Sequence, residues 1–111
     1  MIFAVNEANF RQTVIQSERP ILVYFWTPWC GLCKPIEAIL TKFAVNQDSI
    51  ELTAINADEN FKLANRYRIR NVPTVMLFYR GQPIQKIDNF NNRDRFQAAL
   101  QKLIQRTSSL V

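Results

Sequence analysis

Histidine is absent from the 111 residues. Its absence removes the commonest general base and the commonest metal ligand together, which excludes histidine-dependent hydrolases and histidine-ligated zinc sites. Glycine occurs twice and proline five times, too rarely for a collagen-like, linker-like or mucin-like chain. No apolar run approaches the ~18 residues of a membrane span, and the longest, Ile21 to Trp26, has the length of a strand. No membrane association is expected. The segment from Met1 to Glu7 lacks a basic stretch ahead of its apolar residues and lacks a sustained hydrophobic region. It does not read as a signal peptide, and a cytoplasmic location is the expectation.

What the sequence does contain fits one globular unit over residues 1–111: 48% hydrophobic and 21% charged residues, with enough chain for a real core. Fourteen basic residues against nine acidic ones leave +5, which favours acidic partners but is modest for a nucleic-acid binder, so no nucleic acid is expected. Arg66, Arg68, Arg70 and Arg80 form the densest basic stretch, whose plainest explanation is a solvated face. A monomer is the simplest oligomeric state.

Hydrophobic periodicity alternates between strand and helix along the chain, with no internal repeat. Ile2 to Val5 reads as a short strand, and Asn6 caps a helix in which Phe10, Val14 and Ile15 share a face. Ile21 to Trp26 is continuously apolar, as expected of a central strand buried on both faces. From Cys30 onward, Cys33, Ile36, Leu40 and Phe43 recur at helical spacing up to Asn46-Gln47-Asp48, so the cysteines open a helix whose first turns accommodate Pro35. A strand over 50–56, a short helix over 60–67 and a strand over 74–79 follow. Gly81-Gln82-Pro83 signals a hairpin into a strand over 84–87, with Gly81 supplying positive φ. Asn91 or Asn92 then caps a closing helix that presents Phe96, Leu100, Leu103 and Ile104 on one face. The order is βαβαβαββα: an α/β fold with parallel strands and crossover helices, then an antiparallel C-terminal hairpin, flanked by four helices in all.

Only two cysteines are present, three apart in Trp29-Cys30-Gly31-Leu32-Cys33-Lys34. A C-x-x-C pair serves as half of a metal site shared between two chains, as two inert thiols, or as a redox dithiol. Its place between a buried-type strand and a helix start favours the third. There the chemistry is intelligible: a thiol of pKa about 8.5 is only ~3% ionised at pH 7, whereas one lowered to near 7 at a helix N-terminus is about half thiolate.

The segment Phe25-Trp26-Thr27-Pro28-Trp29-Cys30-Gly31-Leu32-Cys33-Lys34 resembles the active-site segment of the thioredoxin family. Val72-Pro73-Thr74, about forty residues later, is similar to that family's cis-proline segment, and the resemblance covers nearly the whole chain. It implies a thioredoxin fold with a central mixed sheet and a thiol–disulfide oxidoreductase that reduces protein disulfides. Cys30 would be the nucleophile and Cys33 the resolving thiol of a mixed-disulfide mechanism. No bound cofactor is implied beyond the redox-active Cys30–Cys33 disulfide. The implied partners are disulfide-containing target proteins and a thioredoxin reductase, NADPH- or ferredoxin-linked. Gly31 would keep the backbone beside Cys30 accessible, Trp29 would form the surface wall beside the thiolate, and Trp26 would be structural. Pro73 would be cis and lie opposite the cysteines, leaving the Val72 backbone to pair with an extended substrate segment. The same chemistry would also serve a more oxidising thiol oxidase or isomerase, or a redox-sensing binding module with little turnover.

Departures from the family pattern mark this chain. Leu32 stands where the commonest thioredoxin dipeptide has proline. Tyr24 replaces the buried aspartate of the central strand, and Ala54 replaces its usual lysine partner, so the charge pair is missing as a unit. Without that aspartate, Cys33 needs another route for its proton, either water or Glu37. Ala38 holds the place of the mid-helix proline, and Asp88-Asn89 stands where the family has glycine close to the site. Arg70, three residues before Pro73, would border the substrate face together with Arg68 or Arg66 and steer acidic targets.

Overall fold

A computed structural model of the chain describes residues 2–47, 49–88, 90 and 92–110. Its centre is the strand that the longest apolar run implies. β2 (Ile21–Trp26) is buried at every position except Trp26, which is half-buried. It is flanked by β3 (Glu51–Asn56) in parallel and by β4 (Thr74–Tyr79) in antiparallel orientation. β1 (Phe3–Ala4) lies parallel to β3 at one edge, and β5 (Gln82–Ile87) lies antiparallel to β4 at the other. The resulting five-stranded mixed sheet has the order β1-β3-β2-β4-β5.

Side chains alternate across this sheet because strand geometry sends successive residues to opposite faces. Leu22, Tyr24, Leu52, Val75 and Leu77 fill one face. They are covered by Cys33, Ile36 and Leu40 of α1 (Cys33–Val45) and by Phe96, Leu100 and Leu103 of α3 (Arg93–Ser108). Ile21, Val23, Phe25, Ile55, Met76 and Phe78 fill the other. There Phe10 and Val14 pack from a helical turn over Arg11–Ile15, and Leu63 packs from α2 (Phe61–Arg66). Asn92 caps α3 by accepting from the Arg95 N–H at 2.9 Å, as one of the two expected caps. Asn91, the alternative, lies outside the described residues, as does Asp48 at the expected end of α1.

Local structure departs from the sequence reading at three places. Asn6, expected to cap the helix, caps the turn ahead of it, its Oδ1 accepting from Ala8 and Asn9, while the helical segment has Phe10 at its N-cap with no side-chain bond. That segment, Arg11–Ile15, is π-helical, closed by an i→i+5 bond from Gln16 N–H to the Arg11 carbonyl at 2.9 Å. The hairpin turn is Arg80-Gly81, both with positive φ (50° and 81°), rather than Gly81-Gln82-Pro83. Two central residues of that conformation match the twist of the flanking strands, and Gln82 and Pro83 become the start of β5. Proline is tolerated there because β5 is an edge strand, irregular in register opposite Leu77 and Phe78. The third departure concerns α1: it begins at Cys33 with Leu32 as its N-cap, so Cys30 precedes the helix rather than opening it.

The direction of β4 decides where the site forms. β2 and β3 both end at Trp26 and Asn56, which face each other in register, and β4 starts at Thr74 opposite Phe25. The ends of two strands and the beginning of a third therefore meet at one end of the sheet.

Candidate active site

At that end the chain leaves β2 through the turn Thr27-Pro28-Trp29. The Cys30 N–H donates to the Thr27 carbonyl at 3.2 Å, and the Cys33 N–H donates to the Cys30 carbonyl at 3.4 Å. These two successive turns, rather than a helical residue, hold Cys30 ahead of α1. Cys30 and Cys33 are joined as a disulfide, with Cα atoms 5.4 Å apart, inside the usual range for such a bond. The two sulfurs are unequally placed. Both line a cleft of about 310 Å³ with Trp26, Trp29, Gly31, Lys34 and Glu37, but Cys30 is half-buried while Cys33 is only 4% exposed. Gly31 lies on the open side, since a Cβ built there meets nothing within 4 Å. Leu32 is half-buried and packs against the core beneath α1.

A second groove, of about 380 Å³, adjoins the first through Thr27 and Trp29 and is lined by Asp58, Ile69, Arg70, Asn71 and Val72. Trp29 is 73% exposed, and its indole N–H donates to the Asp58 carboxylate at 2.8 Å. Val72-Pro73 is a cis peptide bond, Pro73 is buried and Val72 half-buried. The Thr74 hydroxyl donates to the Asn71 carbonyl at 2.6 Å and ties the loop to the head of β4.

The thioredoxin family model matches residues 1–102. The chain belongs to the thioredoxin family. Among its relatives, Thioredoxin 1 of Synechococcus elongatus is 39% identical over 85 residues, covering 76% of this chain and 79% of that protein. The thioredoxin of Alicyclobacillus acidocaldarius is 32% identical over 102 residues (91% and 96%), and that of Porphyra purpurea 35% identical over 101 residues (90% and 94%). With the Cys30–Cys33 pair at the C-terminal end of β2, this thioredoxin-family chain is a thiol–disulfide oxidoreductase, a chemistry that needs no bound cofactor.

Within the thioredoxin frame, the substituted charge pair is the most informative feature. Tyr24 and Ala54 are in register on β2 and β3, the positions inferred for the missing aspartate and lysine. Tyr24 is fully buried beneath α1, and its hydroxyl donates to the Cys33 carbonyl at 3.0 Å. Burial, and secondarily the Glu37 carboxylate, push that hydroxyl well above the ordinary tyrosine range. It therefore stays a neutral donor, where the usual family residue is an acid. Glu37 itself is exposed. Trp26 is half-buried against the same core and also lines the cleft of Cys30.

Of the arginines, only Arg70 lines the groove that holds Trp29 and Val72. Arg66 borders a different groove with Glu7, Phe10 and Arg11, so it does not join Arg70 as expected. Arg80 sits in the hairpin turn, its guanidinium 5.5 Å from the Tyr79 ring centroid. Arg68 has a left-handed backbone, φ 55°, which ends α2. The Ile69 N–H bonds the Ala64 carbonyl and the Arg68 N–H bonds the Asn65 carbonyl, the Schellman pattern, with arginine where glycine is usual. Lys86 of β5 closes the arrangement by donating to the Tyr67 and Arg68 carbonyls at 2.7 and 3.2 Å. This motif turns the chain back so that Arg70 reaches the groove, and nothing in the sequence announces it. Asp58 and the Tyr24–Cys33 bond were equally silent there. Asp88 is exposed after β5, and Asn89 lies outside the described residues.

Proposed function

We propose that this chain acts as a single thioredoxin-like domain, 1–111, that reduces protein disulfides through Cys30 and Cys33. The observation that carries this is the unequal exposure of the two cysteines of one cleft: Cys30 is half-buried beside an exposed Trp29, and Cys33 is buried. The Cys30 thiolate attacks one sulfur of a target disulfide. A new S–S bond forms between them, and the second target sulfur leaves as a thiolate that takes a proton from water. Cys33, its own proton lost to water, then attacks the Cys30 sulfur. The Cys30–Cys33 bond forms, the remaining target thiolate departs, and two electrons have passed to the target. Three residues of separation make this second step intramolecular.

Trp29 and Gly31 form the wall and the open floor beside Cys30. Leu32 and Tyr24 shape the turn around Cys33, and Trp26 supports the strand end. The backbone at Val72, presented by the buried cis-Pro73, pairs with an extended target segment, and Arg70 steers acidic targets toward the groove. The partners are disulfide-containing proteins and a thioredoxin reductase, NADPH- or ferredoxin-linked, with the chain acting as a cytoplasmic monomer.

A redox titration of the pair, read by the fluorescence of Trp26 and Trp29, tests the direction of electron flow. A two-electron transition near roughly −270 mV is expected; one above about −200 mV would instead mark an oxidant or isomerase. Cys30→Ser should abolish reduction of insulin disulfides. Retention of tight partner binding alongside slow wild-type turnover would instead mark a binding module.

A further inference from the structure

Opening the Cys30–Cys33 bond removes the covalent tie across the start of α1, where Cys33 and Ile36 still pack into the core but few hydrogen bonds fix the backbone. Leu32, the N-cap, offers no side-chain hydrogen bond to this turn. The bonds that close the turn, Cys33 N–H to Cys30 carbonyl and Ile36 N–H to Leu32 carbonyl, measure 3.4 and 3.3 Å, long for N–H···O. Helix ends of this kind fray. Yet the resolving thiol is the first residue of this helix, and its attack requires that its sulfur stay within reach of Cys30 after the disulfide is gone.

One bond to this turn comes from outside the helix. Tyr24 stands on the central strand, its backbone flanked on both sides by paired strands at Ala54 and Val75. From there its hydroxyl reaches the Cys33 carbonyl at 3.0 Å, shorter than either bond that closes the turn. Ala54, in register beside Tyr24, carries only a methyl group, which leaves room for the phenol ring. The paired replacement of aspartate and lysine thus exchanges a titratable group beneath Cys33 for a neutral mechanical anchor.

We propose that Tyr24 is a positioning residue for the resolving step: its hydroxyl holds the Cys33 carbonyl, and so the first turn of α1, while Cys30 is occupied by the target. This rests on the dithiol mechanism proposed above. Tyr24 touches no reacting atom and transfers no proton. Its contribution is the geometry of the intramolecular attack, whose advantage over a bimolecular one depends on a restrained approach.

The test separates the two half-reactions. The reduced protein is mixed with oxidised glutathione, quenched at intervals and weighed intact, so that the mixed disulfide at Cys30 and its conversion to the internal disulfide are each timed. In Tyr24→Phe, formation of the mixed disulfide should proceed at the wild-type rate, and its conversion should slow by about threefold to tenfold, the range of one net hydrogen bond. An unchanged conversion rate, or equal slowing of both steps, would overturn the proposal and leave Tyr24 a packing residue. Site-specific 3-fluorotyrosine at position 24 keeps the ring and sharpens the donor, so it should convert at least as fast as wild type. Conversion slowed like that of the phenylalanine variant would also overturn the proposal, whether or not Tyr24→Phe folds. Failure of the wild-type protein to form a mixed disulfide at all would instead strike the dithiol mechanism itself.

Discussion

A phenol in the centre of the sheet couples stability to alkali. Burial holds the Tyr24 hydroxyl protonated well above the value of 10.0 that it has when unfolded. Above pH 10 the unfolded chain therefore releases a proton that the folded chain keeps. With fewer protons bound in the unfolded state, stability falls as pH rises; the contribution is full below pH 10 and declines beyond it. Urea unfolding between pH 8 and pH 11 should show wild-type stability falling more steeply than that of Tyr24→Phe, which has no such proton. Parallel curves would mean that the hydroxyl is accessible to base in the folded state. The same residue shows the limit of pattern reading. That position 24 departs from the family is plain in the sequence, and so is the loss of its partner at 54. That the new hydroxyl would find the Cys33 carbonyl depends on how α1 sits over β2, which no local pattern encodes.

Among the elements, those built on strong periodicity were legible. β2 declared itself by six consecutive apolar residues, and α1 and α3 by apolar spacing along one face. The elements that were misread all turn on backbone geometry rather than hydrophobicity. The π-helical turn arises after an ordinary Asn6 cap, and the hairpin turn shifts by one residue because Arg80 accepts positive φ beside Gly81. α2 itself ends where the sequence reading over 60–67 places it, but the left-handed Arg68 that follows has no sequence signature. A non-glycine residue in that conformation costs roughly 1 kcal/mol, here offset by the Lys86 bonds. Arg68→Gly should therefore raise the unfolding free energy by about 0.5 to 1 kcal/mol in urea titration, with the redox potential unchanged. A loss of stability would show that the arginine side chain contributes more than its backbone costs.

At the scale of the whole molecule, charge and topology act together. The chain carries +5, yet the arginines that look like one basic stretch are dispersed by the fold, and Arg70 alone reaches the groove beside Trp29. A cation at the groove, set against a general positive field, should affect association more than chemistry. Arg70→Glu should slow association with an acidic disulfide target at low salt and quicken it with a basic one, both differences closing as ionic strength rises through 0.15 M. Rates for both targets that match wild type across the salt series would remove Arg70 from target selection.

The two borders of the sheet are blunted in different ways. β1 is two residues long, and β5 carries Pro83 and a break in register. Neither offers the long, flat row of unpaired amides on which chains of many copies stack into fibrils. With both rims closed in this way the chain is guarded against pairing with its own copies strand to strand, and should stay dispersed at high concentration.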